Sequence, residues 1–166
     1  MPKKYSENDI EKCIAVLEVF PARLKKEVEG LNDDRLVYRH RPGGWTIRQL
    51  VNHLADSHLN AFVRTKLTLT EVNPTIKPYD ESAWANMDDA AESPLEWSLM
   101  ILDGLHNRWT MILDTVNEIE LRKTYYHPEY KREVTLANLV FLYAWHCEHH
   151  LAHIKQAKKF KNKFKL

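Results

Sequence analysis

Four of the nine histidines fall within eight residues, His146-Cys147-Glu148-His149-His150-Leu151-Ala152-His153. On a helix each residue advances by about 100°, so His149 and His153 share a face, one turn apart. Two imidazoles at that spacing can reach a single zinc-like ion at about 2.0–2.1 Å. His146 lies on the same side, one turn earlier. His150 is rotated by about 100° from His149, and Cys147 by about 200°, so neither is expected on the same ion. A third ligand has to come from another segment. His53 shares its helical face with Asn60 and Arg64, whereas His58 is rotated well away from it. Polar residues repeating on one face suggest a ligand-lined interior. The expected ligands are therefore His53, His149 and His153, with His146, Asn60 and Arg64 lining the pocket.

Other chemistries at this spacing are missing their partners. The His-Glu-x-x-His zincin order is absent, because Glu148 precedes His149 directly. The di-iron pattern Glu-x-x-His is absent too, since Leu151 stands three residues after Glu148. No Gly-x-Ser-x-Gly elbow occurs. Cys147 should point away from the histidine face and is no nucleophile. The competing reading is bland: a His-x-x-x-His pair is common, and clustered histidines can be solvated or hydrogen-bonded in a core. Trp45 and Trp145 read as packing residues. The lysines from Lys158 to Lys165 read as a helix end whose charge suits the dipole.

Four amphipathic segments must position these side chains. In the first, Ile10, Ile14, Leu17, Leu24, Val28 and Leu31 recur at helical spacing. Ser6 with Asp9 marks its start and Gly30 its end, and Pro21 within it predicts a kinked helix or two abutting ones. The second follows the Pro42-Gly43-Gly44 turn, opens on a Thr46/Gln49 capping box and carries Leu50, Leu54, Ala61 and Leu69. Val72 to Glu92, with Pro74, Pro78 and Asp80, predicts a long loop able to cover a site. Ser93-Pro94-Leu95-Glu96 predicts the third start, with Ser93 as cap and Pro94 at the first helical position; its stripe is Leu102, Leu105, Trp109, Ile112 and Val116. Lys123 to Glu133 reads as a loop or irregular hairpin. Thr135 caps the fourth helix, which runs from Leu136 to about Phe160. The expected fold is an all-α four-helix bundle with a long loop between its second and third helices. Such bundles build ligand sites from inward-facing side chains.

Composition sets the remaining bounds. The 166 residues suit one domain, and 44% apolar content can fill its core. Twenty-four basic against 23 acidic residues leave a net charge of +1, which argues for neither nucleic acid nor a membrane surface. Four glycines leave little material for a phosphate-cradling loop. Cys13 and Cys147 are sparse and unpaired in sequence, as in a reduced cytoplasmic protein. The first residues, Met-Pro-Lys-Lys-Tyr-Ser-Glu, lack the apolar run of a signal peptide.

The stretch Pro42-Gly43-Gly44-Trp45-Thr46-Ile47-Arg48-Gln49-Leu50-Val51-Asn52-His53-Leu54-Ala55-Asp56-Ser57-His58-Leu59-Asn60 resembles the signature of the YfiT-like proteins of the DinB-like superfamily. Further matches follow in order: Pro74 to Glu81, Leu105-His106-Asn107-Arg108-Trp109, Tyr126-His127-Pro128, and Trp145 to Ile154. The resemblance spans about residues 10 to 157. It implies a four-helix bundle, a homodimer, and one divalent transition metal, zinc or nickel first, on three histidines at positions matching His53, His149 and His153. It implies a metal-dependent hydrolase acting on a small molecule through activated water. Some related proteins instead transfer a low-molecular-weight thiol, bacillithiol, to electrophiles, and a metal-binding dimer without turnover is the third alternative. The family often has histidine where this chain has Asn52 and Glu148, a departure that bears on pocket shape. No residue is assigned as general base.

Overall fold

The computed structural model describes residues 6–164. The reading of the N-terminal leader and of Lys165 concerns residues outside that range. Four long helices dominate: α1 (Glu7–Val28), α3 (Ile47–Thr70), α6 (Leu95–Leu113) and α8 (Leu136–Phe160). Between them stand α2 (Asp33–Leu36), α4 (Glu81–Ala85), α5 (Asp88–Glu92), α7 (Glu118–Leu121), and the strands β1 (Thr124–His127) and β2 (Arg132–Thr135). The expected four-helix bundle is therefore present, with a small hairpin added. No helix among the described residues is long and apolar enough to cross a membrane.

The long helices pack with an order that their sequence order does not suggest. α1 lies against α6 and α8, and α3 lies against the same two. The consecutive helices α1 and α3 thus stand across the bundle's diagonal. One core joins all four through Leu17, Phe20 and Leu24 of α1, Leu50 and Leu54 of α3, Leu102 and Trp109 of α6, and Leu139 and Ile154 of α8.

Local start signals act as read at three helices. Ser6 and Asp9 form a capping box on α1, Thr46 and Gln49 form one on α3, and Thr135 accepts from the Asn138 N–H on α8. Each satisfies amides that have no partner inside the helix. The α6 start is shifted by one: Pro94 itself is the N-cap, and no side chain caps this helix. The Ser93 carbonyl instead accepts from Arg48, 2.6 Å away, which anchors the connection to α3.

The stretch from Val72 to Glu92 is more ordered than the expected loop. It forms α4 and α5, and polar side chains of α3 hold both. Gln49 donates to the Ala85 carbonyl at 2.7 Å, and Asn52 to the Ala90 carbonyl at 2.9 Å. These two buried amides satisfy helix-end carbonyls that would otherwise lack partners. The hairpin is regular, with Tyr125 opposite Val134 and Tyr126 opposite Glu133. Thr75 bridges to Tyr126, tying the α3–α6 connection to β1.

Pro21 sits within one continuous α1. Proline has no N–H, so the carbonyl four residues earlier, that of Leu17, loses its helical donor. The Nδ1 of His106 lies 2.6 Å from that oxygen. A second buried polar pair helps fix α6 on α3: the fully buried Trp109 donates its indole N–H to Thr65 Oγ1 at 2.9 Å. Thr65→Val keeps the volume and strands that N–H. We expect a loss of about 1–3 kcal/mol in denaturant unfolding; an unchanged midpoint would refute the account.

Candidate metal centre

The packing of α3 against α8 sets His53 of the one beside His146 and His150 of the other. The Nε2 of His146 lies 3.3 Å from that of His53 and 3.1 Å from that of His150. The three can each offer a ligand atom, all within 4.8 Å of one another, and they form the one such group among the described residues. Two imidazole nitrogens bound at about 2.0–2.1 Å around a tetrahedral ion stand roughly 3.4 Å apart. The donor set and its spacing fit a single transition-metal ion.

This trio differs from the expected one at two positions. His53 is common to both, and His146, expected to line the pocket, lines the cavity and also stands in the cluster. His150, expected to point away, belongs to it, while His149 and His153 do not. Helix phase explains the change. The buried face of α8 is Leu136, Leu139, Val140, Tyr143, Ala144, Cys147, His150, Leu151, Ile154 and Ala157. His150 stands seven residues after Tyr143 and seven before Ala157, inside that stripe. The apolar stripe was therefore the signal that distinguishes the two i,i+4 pairs. His149 and His153 still face each other, with ring centroids 4.1 Å apart, but on the flank of the helix. There His149 stacks on the exposed Trp145 at 4.4 Å and His153 on His40 at 3.9 Å. Trp145 is thus a rim residue rather than a core one, while Trp45 packs on the core and tilts over His53.

The cluster histidines are neutral at ordinary pH. Burial pushes the pKa of His53 down to about 4. Burial, then the neighbouring His53 and His149, push His146 down to about 3. Burial drives His150 further in the same direction, followed by its histidine neighbours. Neutral imidazole is the form that binds a metal. Cys147, wholly buried beside them on α8, has its thiol pKa pushed well up by burial, which keeps it a thiol.

Two cavities meet at these rings. One, of about 280 Å³, is floored by His53, His146 and His150 and walled by Ser57, Arg64 and Tyr79 among others. The hairpin contributes His127 and Tyr130 to it. The other, of about 600 Å³, opens along His40, Trp45, His150 and His153. Arg64 lines the first cavity, where its charge favours the ionised Glu81 carboxyl. Asn60 does not line it; its amide turns back to the Asp56 carbonyl at 2.9 Å, as short amides on helices readily do. The Tyr79 hydroxyl is buried at the cavity wall beside Ser57. Burial raises its pKa, so it remains a donor.

The model of the DinB superfamily matches residues 17–154, most of the chain and every residue of the cluster. The chain belongs to the DinB superfamily. Within that superfamily it is 46% identical, over 93% of its own length and 86% of the relative's, to YfiT of Bacillus subtilis, named as a candidate metal-dependent hydrolase. A Geobacillus kaustophilus protein named in the same way is 42% identical over 96% of this chain and 90% of the relative. The solved structure of Bacillus subtilis YfiT, described as having an unusual four-helix bundle topology, superposes with a TM-score of 0.93 at 43% identity. That match covers 98% of this chain and 93% of the other. The DinB fold of this chain is thus supported by sequence and by shape, and its diagonal α1–α3 order accompanies the histidine cluster.

Proposed function

We propose that this chain is a metal-dependent hydrolase whose ligands are His53, His146 and His150. The observation that carries the reading is the convergence of three imidazoles on the floor of a walled cavity, with His146 Nε2 3.3 Å from that of His53 and 3.1 Å from that of His150. Three protein ligands leave a coordination position open, as in catalytic rather than structural zinc sites. Zinc or nickel suits imidazole donors. A bound ion supplies Lewis acidity, lowering the pKa of a coordinated water from about 15.7 to about 7, or stabilising a thiolate.

The chain's own residues then shape the substrate. Arg64 is the one arginine or lysine among the residues lining the smaller cavity. Its guanidinium, which shares the cavity with the Glu81 carboxyl, can take a carboxylate or phosphate through two N–H donors. The Tyr79 hydroxyl, on the cavity wall, can donate to a carbonyl or phosphoryl oxygen. The aromatic rings of Trp45, Tyr130 and Trp145 line the cavity and offer apolar surface to a substrate. The substrate class that fits is a small ester or amide bearing an anionic group. Thiol transfer to an electrophile is the second reading, because the same open position can hold a thiol.

The test is a panel of anionic and neutral esters and amides, beside a thiol with a model electrophile, on zinc- and nickel-loaded protein. Hydrolysis favouring the anionic members is expected. Arg64→Gln should raise KM for those members by at least about tenfold, the loss of one charge-assisted contact, and leave the neutral ones unchanged. Turnover only with thiol and electrophile would replace hydrolysis by transfer.

A further inference from the structure

A backbone carbonyl accepts hydrogen bonds and never donates them. The Leu17 carbonyl, left without its helical donor by Pro21, therefore accepts from His106 Nδ1–H at 2.6 Å. The His106 ring is neutral, since burial pushes its pKa to about 4, so its Nε2 is a bare acceptor. That atom lies 2.8 Å from His58 Nδ1, which must donate to it. His58 Nε2 is then bare in turn, and it lies 3.1 Å from His146 Nδ1. His146 must donate there, which leaves the lone pair of His146 Nε2 facing His53 and His150. Each step is forced by the one before it, from a carbonyl on α1 to the cluster.

The rings that carry this chain are caged. His58 is fully buried and His106 almost so. Phe20 packs on both, with centroids 5.6 Å from each. Tyr143 and Trp109 meet His58 edge-on at 5.2 and 6.2 Å. Neither His58 nor His106 belongs to the ligand cluster, and neither lines the two cavities. Two buried histidines without a substrate or a metal to touch require another reason to be there. Metal-bound histidines generally donate their second N–H to an acceptor that fixes ring and tautomer.

We propose that His58 and His106 are positioning residues, which fix His146 as its Nδ1–H tautomer and aim its Nε2 lone pair at the metal, through a relay anchored on the Leu17 carbonyl that Pro21 sets free. The inference rests on the ligand reading above for its metal, but not for its tautomers. Pro21 then has a purpose within α1: an alanine there brings an N–H that competes for the anchoring oxygen.

Two measurements test this. Long-range ¹H–¹⁵N spectra of the chelator-treated full chain report the tautomer of each ring. His106, His58 and His146 should all be Nδ1–H; an Nε2–H form at His58 or His146 overturns the relay. Zinc affinity by chelator competition gives the second readout. His106→Gln can still donate to Leu17 and accept from His58, so it should stay within about threefold of the parent. His106→Leu can do neither and should lose about 10–100-fold. Equal affinity in the folded leucine variant also overturns the proposal. If that variant does not fold, the tautomers of the parent chain decide alone. Nδ1–H tautomers in a chain that binds no zinc would retain the relay and defeat the metal reading.

Discussion

His146→Ala and His150→Ala should each abolish stoichiometric zinc or nickel, whereas His149→Ala and His153→Ala should keep about one ion per chain. The two i,i+4 pairs on α8 make this a sharp contrast. His146 and His150 have Nε2 atoms 3.1 Å apart and meet His53. His149 and His153 turn to Trp145 and His40 instead. Removing one of three ligands should cost more than the roughly 10–100-fold lost with an outer partner. Elemental analysis after gel filtration reads the outcome, with circular dichroism as the check on folding. Retention in His150→Ala with loss in His153→Ala would restore His149 and His153 as the ligand pair.

Acid should destabilise the chelator-treated chain steeply, with His106 a main cause. Its pKa is about 4 folded, held down by burial and partly offset by its bond to Leu17, against an ordinary value of 6.5. Above pH 6.5 the ring is neutral both folded and unfolded, and its full contribution is present. As the pH falls from 6.5 to 4 the unfolded chain takes up the proton and the folded chain does not. Stability then drops by about 1.4 kcal/mol per pH unit, about 3 kcal/mol in all, and levels off below pH 4. That is a large share of the roughly 5–15 kcal/mol of a typical domain. Asp56 works in the opposite sense, since burial and then Asp89 raise its pKa to about 6. The comparison with His106→Gln removes that contribution from the result. The difference in urea stability between parent and variant should shift by about 3 kcal/mol between pH 7 and pH 4. A pH-independent difference would show that His106 is not buried as a neutral base.

The elements of this protein are written locally. Ser6/Asp9, Thr46/Gln49 and Thr135 start their helices because a capping side chain needs only the amides two or three residues away. The apolar stripes of α1, α3, α6 and α8 follow from period alone. The stretch from Val72 to Glu92 was harder to read: α4 and α5 are one-turn helices, too short to form unaided, and exist because Gln49 and Asn52 of α3 hold them.

His53 and the histidine-rich segment of α8 were equally plain in the sequence as metal-binding material. Which pair on α8 meets His53 is not told by their spacing, which is the same for both, but only by how the apolar stripe rolls the helix. The roll is decided by burying Tyr143, Cys147, Ile154 and Ala157 against α1 and α3, and it carries His150 inward and leaves His149 and His153 on the flank. The same holds for His58 and His106. Their contact, 48 residues apart in the chain, exists only because α3 packs against α6, and its polarity is set by a carbonyl that a proline on α1 leaves open. The sequence by itself determined the helices and the kind of ligand; the packing of one helix on another decided which histidines converge, since a side chain's direction depends on the face its helix buries.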